Sequence, residues 1–200
     1  MRKVSRNKTN YGLVVLLVLI ISIVFGFLFD IVCNAIEKKL YPKPEEYASF
    51  IEKYSTEYGV PEDLIYAVIK TESSFDSSAV SSKGAIGLMQ MMPSTFEWLT
   101  NDILRDYHGS GMLYDPETNI KYGTYYLSRL YNRFGDWDTA LAAYNGGEGN
   151  VSDWLVDSRY SSDGKKLIID NIPNEFGETE AYVKKVNKAF DKYKKLYSEE

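Results

Sequence analysis

The sequence predicts a mainly α-helical protein in which a single N-terminal transmembrane helix precedes one folded domain. An uncharged apolar run covers residues 11–29, which is long enough to cross a bilayer. Beyond residue 45, apolar side chains recur at spacings of three and four residues in several successive segments, as in amphipathic helices. Alternation with a period of two is scarce, and residues 166–170 form the one plausible short strand.

The composition argues against several kinds of functional site. One cysteine rules out an intrachain disulfide, and a single histidine beside it argues against a Cys/His zinc site. The spacing of Asp136, Asp138 and Glu148 matches no calcium loop, so we expect neither a metal ion nor another cofactor. The net charge of −5 gives no reason to expect a nucleic acid partner, and we expect a monomer.

Charge is distributed unevenly along the chain. Residues 1–30 hold four basic residues and one acidic residue, whereas residues 31–200 hold 19 basic and 27 acidic residues. Because the basic residues precede the apolar run, the positive-inside rule predicts a cytoplasmic tip at 1–10 and a transmembrane anchor at 11–29. As a helix the anchor is about 28 Å long, close to the ~30 Å of a bilayer core. We therefore expect a single-pass cell-membrane protein whose later residues face the extracellular side or the periplasm.

Three other interpretations of this segment are weaker. A cleaved signal peptide has a shorter apolar region that ends in small residues, whereas this run leads into Phe29, Asp30 and Ile31. Cys33 suggests a lipoprotein, but the residues before it are not the small ones that such processing requires. A buried helix of a soluble fold is the third alternative. The uncleaved anchor is the interpretation that the sequence favours.

A short stalk at residues 30–45 links the anchor to a folded domain at 46–200. Pro42 and Pro44 interrupt any continuous helix there. About 15 extended residues reach at most ~50 Å from the membrane. Apolar periodicity and capping residues predict five helices in the domain, the fourth opened by Asp136. They cover residues 46–58, 61–73, 119–131, 137–144 and 178–197.

One glutamate lies where a glutamate is unexpected. Glu72 follows Ile65, Val68 and Ile69 by seven, four and three residues, so it shares their apolar helix face. It also lies in the last turn, where the helix dipole disfavours an anion. Partial burial disfavours the charged form as well, so we expect the pKa of Glu72 to be raised. A carboxyl group that stays protonated near neutral pH is suited to general acid catalysis.

Two later segments combine small residues with isolated polar ones. Residues 84–93 read GAIGLMQMMP and place Gln90 in an apolar stretch, where its amide needs hydrogen-bond partners or a ligand. Residues 140–150 read ALAAYNGGEGN, and the small residues allow close packing against another helix. Tyr144 and Asn145 would then present a hydroxyl and an amide at a helix end.

Five short segments follow one another in a specific order between residues 72 and 183, within a region of similarity that covers about residues 46–195. They are Glu72-Ser73-x-Phe75; Ala79-x-Ser81-x-x-Gly84-Ala85-x-Gly87-Leu88-Met89-Gln90-x-x-Pro93-x-Thr95; Asp115-Pro116-x-x-Asn119-Ile120-x-x-Gly123-x-x-Tyr126-Leu127; Ala143-Tyr144-Asn145-x-Gly147; and Ile172-Pro173 with Glu178-Thr179-x-x-Tyr182-Val183. Together they resemble the lytic transglycosylase family of the soluble-transglycosylase (SLT) type. Each motif alone is weak, whereas the ordered set is specific.

The resemblance implies a lysozyme-like fold, of the goose-type lysozyme and SLT kind, for a lytic transglycosylase catalytic domain at residues 46–200. It makes Glu72 the catalytic acid. In the last motif four residues separate Pro173 from Glu178, where the family usually has two. The resemblance also implies a set of substrate-binding residues along a sugar groove. They are Ser73, Ser81, Met89, Gln90, Met92, Tyr144, Asn145 and Glu178.

The substrate that the resemblance implies is the glycan strand of bacterial peptidoglycan. The bond cut is then the β-1,4 link from N-acetylmuramic acid (MurNAc) to N-acetylglucosamine (GlcNAc), with closure of a 1,6-anhydro ring and Glu72 as acid and then base. One alternative is a lysozyme-like muramidase that adds water and needs a base opposite Glu72, for which Asp76 is a candidate. Another is a non-catalytic module that binds the cell wall.

Overall fold

The chain forms two units, Met1–Pro42 and Lys43–Glu200, in a computed structural model that describes residues 10–106 and 108–197. The first unit contains one helix, α1, which spans Tyr11–Leu40. The predicted cytoplasmic tip lies outside the described residues except for Asn10. Each unit is described below by itself.

Helix α1 is the one helix, among the described residues, that is long and apolar enough to cross a membrane. Its apolar side chains are exposed along the whole length of the helix, and none of its residues is buried. The helix has 30 residues and so extends well beyond the predicted end of the anchor at residue 29. Much of the predicted stalk is therefore helical, and only Tyr41–Pro44 separates α1 from the next helix. A helical stalk rises about 1.5 Å per residue, so it reaches less far than an extended one.

The second unit is built from helices, and its described residues contain no strand. The expected strand at 166–170 is wrong, because Leu167 is the buried residue of an otherwise exposed loop and Ile169–Asn171 forms a 3₁₀ turn. The five predicted helices are present with shifted ends, and two short helices, α4 and α7, were not predicted. The helices are α2 Glu45–Tyr58, α3 Glu62–Glu72, α4 Pro93–Trp98, α5 Pro116–Phe134, α6 Trp137–Gly146, α7 Glu148–Leu155 and α8 Gly177–Tyr197. Leu99–Ile103 is a π-helical turn, and Ser110–Tyr114 and Asn174–Phe176 are 3₁₀ turns.

Local sequence explains where several of these helices begin and end. The Asp115 carboxylate accepts a hydrogen bond from the Thr118 backbone N–H at 2.8 Å and caps α5. Asp136 caps α6 in the same way through the N–H of Thr139, which confirms its predicted place at the start of that helix. Gly135 ends α5 with φ +70°, a conformation that costs glycine little.

Helix α3 lies at the centre of the unit and delivers the glutamate to the site. Residues 64–69 are all buried, so α3 is covered on nearly every side before it reaches Glu72. It packs against α8, while α5 packs against α2 and α6, and α6 also packs against α8. The end of α3 is therefore held between the elements that supply the other residues of the site.

A buried asparagine fixes the loop between α3 and α4. The Asn119 side chain of α5 accepts a hydrogen bond from Met89 N–H at 2.7 Å and donates to the carbonyls of Ile86 and Leu113 at 2.9 and 2.8 Å. Gly87 passes so close to Asn119 that an added Cβ atom would lie 2.3 Å from its Nδ2 atom. Only glycine fits there, because the residue also has φ +79°.

We predict that Asn119→Leu lowers the free energy of unfolding by about 3 kcal/mol, because three buried backbone groups lose their partners. Urea denaturation followed by circular dichroism measures this loss. Asn132→Leu, at an exposed position of the same helix, is the matched control and should change the stability by less than about 0.5 kcal/mol. Equal effects of the two substitutions would contradict the role assigned to Asn119.

Candidate active site

Glu72 ends helix α3 at the wall of a cavity of about 180 Å³. A second cavity of about 240 Å³ adjoins the first, since both are lined by Gln90, Met92, Tyr144 and Asn145. The two cavities form a groove between the loop that precedes α4 and the end of α6. The first cavity is lined by Glu72, Ser81, Ser82, Lys83, Ala85, Gln90, Met92, Tyr144, Asn145 and Glu178.

The environment of Glu72 raises its pKa from 4.5 to about 7, in the direction that the sequence predicts. Burial of the carboxyl group is the largest cause, because removal from water disfavours the charged form. A hydrogen-bonding interaction with Tyr182 lowers the pKa, and the negative charge of Glu178 raises it. Near neutral pH the carboxyl group is therefore divided between its protonated and ionised forms.

A strained turn follows Glu72 and is stabilised by Ser73. Ser74 and Phe75 both have positive φ angles, 52° and 71°, which is unfavourable for residues with side chains. The Ser73 hydroxyl accepts a hydrogen bond from Phe75 N–H and donates one to the Leu88 carbonyl at 2.9 Å. Ser73 was expected to bind substrate, but its hydroxyl instead joins the end of α3 to the following loop, and it does not line the cavity around Glu72.

Met89 also differs from the expectation. Its side chain is fully buried and packs against Gly123, where an added Cβ atom would lie 2.5 Å from the Met89 sulfur. It is therefore part of the core, not a wall of the groove. Met92, in contrast, is 38% exposed and lines both cavities.

Two of the expected polar residues shape the loop that borders the groove. Ser81 accepts a hydrogen bond from Ala85 N–H through its hydroxyl oxygen at 3.0 Å. Gln90 has φ +48°, and its Nε2 donates to the carbonyls of Ala79 and Gly87 at 3.1 and 2.9 Å. The Gln90 amide, which was expected to need hydrogen-bond partners, is therefore bonded to backbone carbonyls of the loop. Gln90 also lines both cavities.

Helix α6 supplies Tyr144 and Asn145, which lie in the groove as expected. The Tyr144 hydroxyl donates a hydrogen bond to the Met89 carbonyl at 2.8 Å, so it does not donate to Glu72 here. Burial and the nearby charge of Glu72 raise the pKa of Tyr144 far above its usual value. The Asn145 side chain accepts a hydrogen bond from the Thr179 hydroxyl at 2.8 Å, which joins α6 to α8.

Glu178 reaches the cavity despite the longer segment before it. Asn174–Phe176 forms a 3₁₀ turn, and α8 then begins one residue before Glu178. The exposed Glu178 carboxylate forms an ion pair with Lys83 at 2.8 Å. Both side chains line the cavity around Glu72.

Tyr182 is a residue of the site that the sequence analysis named only as part of the fifth motif and gave no role. Its side chain is buried in α8, and its hydroxyl has no hydrogen-bond partner of good geometry within 10–106 and 108–197. Burial and the charge of Glu72 raise the pKa of Tyr182 far above its usual value, so the phenol stays protonated beside the carboxyl group. The sequence feature that could have identified Tyr182 as a site residue is its place in the fifth motif, one helical turn after Glu178.

No cluster of His, Cys, Asp and Glu side chains suited to a metal ion occurs in the part of the chain that the structure describes. The family model for the transglycosylase SLT domain matches residues 49–168. The chain belongs to the transglycosylase SLT family. The match begins within α2 and ends before α8, so the SLT family assignment covers Glu72 and most of the groove.

Relatives and solved structures of this SLT family agree with the fold. The soluble lytic murein transglycosylases of Salmonella typhimurium and Escherichia coli K12 are 38% and 36% identical over 75% and 77% of this chain. The 70 kDa soluble lytic transglycosylase of E. coli superposes with a TM-score of 0.70 over 80% of the chain, at 32% identity. An inactive Glu-to-Gln mutant of the lytic transglycosylase Slt from Pseudomonas aeruginosa superposes with a TM-score of 0.67 over 79% of this chain, also at 32% identity.

The matched region is only a part of these larger relatives. The chain spans 23% and 24% of the two curated enzymes and 25% of each of the two solved structures. The mainly helical, lysozyme-like SLT fold expected from the sequence is confirmed.

We predict that Glu72→Gln stabilises the protein by about 2 kcal/mol above pH 7, because ionising the partly buried carboxyl group opposes folding. The folded pKa lies above the unfolded value, so wild-type stability falls as the pH rises from 4.5 to about 7. Below pH 4.5 the carboxyl group is protonated in both states, and the difference should disappear. Urea denaturation at pH 4, 6 and 8 measures it.

Glu175→Gln is the matched control for the loss of one negative charge, since Glu175 is exposed and outside the cavity. A gain for Glu72→Gln that is the same at pH 4 and pH 8 would show that the pKa of Glu72 is not raised in the folded state.

Proposed function

We propose that the protein is a peptidoglycan lytic transglycosylase that cleaves the MurNAc-β-1,4-GlcNAc bond without water. The observation that carries this proposal is the partly buried Glu72, with a pKa of about 7, in the wall of an open groove. The family and its soluble lytic murein transglycosylase relatives support the substrate class. A related soluble lytic transglycosylase, 33% identical to this chain, has also been solved in complex with bulgecin A.

In the proposed reaction one carboxyl group serves twice. Protonated Glu72 donates its proton to the oxygen that leaves with GlcNAc, and the bond from MurNAc C1 to that oxygen breaks. The N-acetyl carbonyl of MurNAc stabilises the positive charge that develops at C1. Glu72, now ionised, then removes the proton of the MurNAc C6 hydroxyl, and that oxygen bonds to C1. The products are a GlcNAc end and a 1,6-anhydro-MurNAc end, and Glu72 is protonated again.

The surroundings of Glu72 fit both halves of this cycle. Burial and the charge of Glu178 favour the protonated form, which the first half requires. The interaction with Tyr182 favours the ionised form, which accepts the proton in the second half. We assign substrate binding to the exposed edge of Met92 and to the polar side chains of Gln90, Asn145 and Glu178, which line the groove.

A water-adding muramidase is the alternative within the enzyme class, and it needs a second carboxylate as base. Asp76 was the candidate for this base. Its exposed side chain accepts hydrogen bonds from the N–H and hydroxyl of Ser78 at 2.9 and 2.6 Å, and it does not line the cavity around Glu72. A non-catalytic wall-binding module has no need of a carboxyl group with a raised pKa.

We predict that Glu72→Gln lowers the rate of glycan cleavage by about 10³-fold or more, because glutamine can neither donate nor accept the proton. The assay digests purified peptidoglycan and identifies the soluble muropeptides by mass spectrometry. The wild-type products should end in anhydro-MurNAc, which is lighter by one water than the reducing product of a hydrolase.

Glu175→Gln and the circular dichroism spectrum of Glu72→Gln are the controls for charge and folding. Reducing muropeptides as the sole wild-type product would establish the muramidase instead. Binding to peptidoglycan without any cleavage by the wild type would establish the wall-binding module.

We also propose that α1 anchors the protein in the cell membrane, with residues 1–10 in the cytoplasm and the Lys43–Glu200 unit on the extracellular or periplasmic side. The supporting observations are the exposed apolar surface of α1 and the basic residues before it. Peptidoglycan lies on that side of the membrane.

We predict that the full chain sediments with membranes, resists extraction by high salt and is released by detergent, because about 19 apolar residues hold it in the bilayer. Fractionation and intact mass of the expressed chain test this prediction. Replacing residues 11–29 with a cleavable secretion signal should move the protein to the soluble fraction. A mature wild-type chain that begins after residue 29 would show that the segment is a signal peptide.

A further inference from the structure

The unit that holds Glu72 has a second groove, which shares no lining residue with the first. It is an open cavity of about 600 Å³ between the end of α2 and the later half of α5. Its walls combine the aromatic rings of Tyr58 and Tyr125, packed edge to face at 5.4 Å, with the polar side chains of Asn132, Arg129 and Arg133. Neither the cleavage reaction nor the SLT motifs use these residues.

The two arginines of this groove differ in their partners. Arg133 forms an ion pair with Glu148 at 2.9 Å and donates to the Ser152 hydroxyl at 2.9 Å. The Arg129 guanidinium lies 4.9 Å from the centre of the Trp98 ring. Its buried Nε has no hydrogen-bond partner, and no ion pair involves Arg129, within the described ranges 10–106 and 108–197. Since no carboxylate of the described residues pairs with it, the partly exposed Arg129 guanidinium can bind an added anion.

The position of Arg129 links this groove to the active site. Trp98, on which Arg129 stacks, lines a shallow cavity together with Thr95 and Tyr126. Thr95 and Tyr126 also line the cavity next to Glu72, and the rings of Tyr126 and Tyr144 are 5.5 Å apart. Tyr144, Tyr126 and Trp98 thus form a strip of side chains between the Glu72 groove and Arg129.

We propose that Arg129 binds a carboxylate of the peptide stem that peptidoglycan carries on its MurNAc residues. This inference depends on the proposed function, since it assumes that the glycan strand lies along the Glu72 groove. A guanidinium binds carboxylates through two parallel hydrogen bonds, and the Trp98 ring holds it in one plane. Tyr58, Tyr125 and Asn132 offer apolar faces and an amide to the rest of a peptide.

A carboxylate on the substrate fits the observations better than a phosphate on another wall polymer. The strip connects Arg129 with the catalytic groove by way of Trp98 and Tyr126, and a stem peptide is covalently attached to the strand in that groove. Glu57 also lines the cavity and disfavours ligands of high negative charge. A phosphate-bearing polymer has no comparable reason to lie beside Glu72.

The test compares two substrates, peptide-bearing glycan strands and the same strands stripped of their stems by an amidase. For Arg129→Gln we expect the ratio of kcat/KM on bearing strands to that on stripped strands to fall about tenfold, the effect of one charged hydrogen bond. Arg129→Lys keeps the charge but loses the planar pair of N–H donors, so its ratio should fall less than that of Arg129→Gln. Arg159→Gln is the matched control, since Arg159 pairs with Asp157 and lines neither groove, and its ratio should equal the wild-type ratio.

Free stem peptide is the direct probe. It should inhibit wild-type cleavage of bearing strands more strongly than Arg129→Gln cleavage, and the same peptide with amidated carboxyl groups should not inhibit either. An unchanged ratio for Arg129→Gln overturns the inference, as does inhibition by inorganic phosphate that needs Arg129 while stem removal has no effect. A wild type that cleaves neither strand contradicts the proposed function itself, so the two failures are distinguishable.

Discussion

The Asn119 side chain makes three hydrogen bonds to backbone groups, two in the loop between α3 and α4 and one to Leu113, and these hold the loop in position without a β-sheet. Within this loop Ile86 forms two isolated backbone bridges, one with Met91 and one with Val80. Asn119 supplies one acceptor and two donors to backbone groups that would otherwise be buried without partners. Because Asn119 fixes Met89 in this way, the Met89 carbonyl can accept a hydrogen bond from the Tyr144 hydroxyl. The buried Asn119 amide thus positions the loop on one side of the groove and, through Tyr144, helps to position α6 on the other side.

The electrostatic state of Glu72 follows from this packing. The carboxyl group ends a helix whose residues 64–69 are buried, and it is itself partly buried in the wall of the groove. Burial favours the protonated form of this carboxyl group. The buried Tyr182 hydroxyl acts in the opposite direction and lowers the pKa. The resulting value of about 7 is a balance between the two, and both depend on the contact between α3 and α8.

The sequence predicted the helices and the position of Glu72 because both depend on local periodicity. Glu72 could be identified because its register with Ile65, Val68 and Ile69 fixes the helix face on which it lies. Met89 could not be placed in this way, because its burial against Gly123 depends on how a loop crosses α5. The side-chain direction of a loop residue is set by tertiary contacts such as those of Asn119. The spacing of residues in the sequence does not predict such contacts.

Tyr182 was missed for a related reason. Its ring belongs to the core, as the helical spacing of α8 indicates, but its hydroxyl lies beside Glu72. Helical periodicity predicts which face of the helix a side chain lies on, but it does not predict which residue its polar end contacts. The helices α4 and α7 were missed because they have only six and eight residues, too few for a periodic pattern to be distinguished.

The charges around Glu72 bear on why one carboxyl group suffices. Among the described residues that line its cavity, Glu178 is the only other acid. The Glu178 carboxylate is exposed and paired with Lys83, so solvent and the Lys83 cation screen its negative charge. It raises the pKa of Glu72 from that position, which helps the acid, whereas a base that activates water needs an unpaired carboxylate facing the sugar. In the proposed reaction the acid therefore has no partner that activates water, and the C6 hydroxyl of MurNAc serves as the nucleophile.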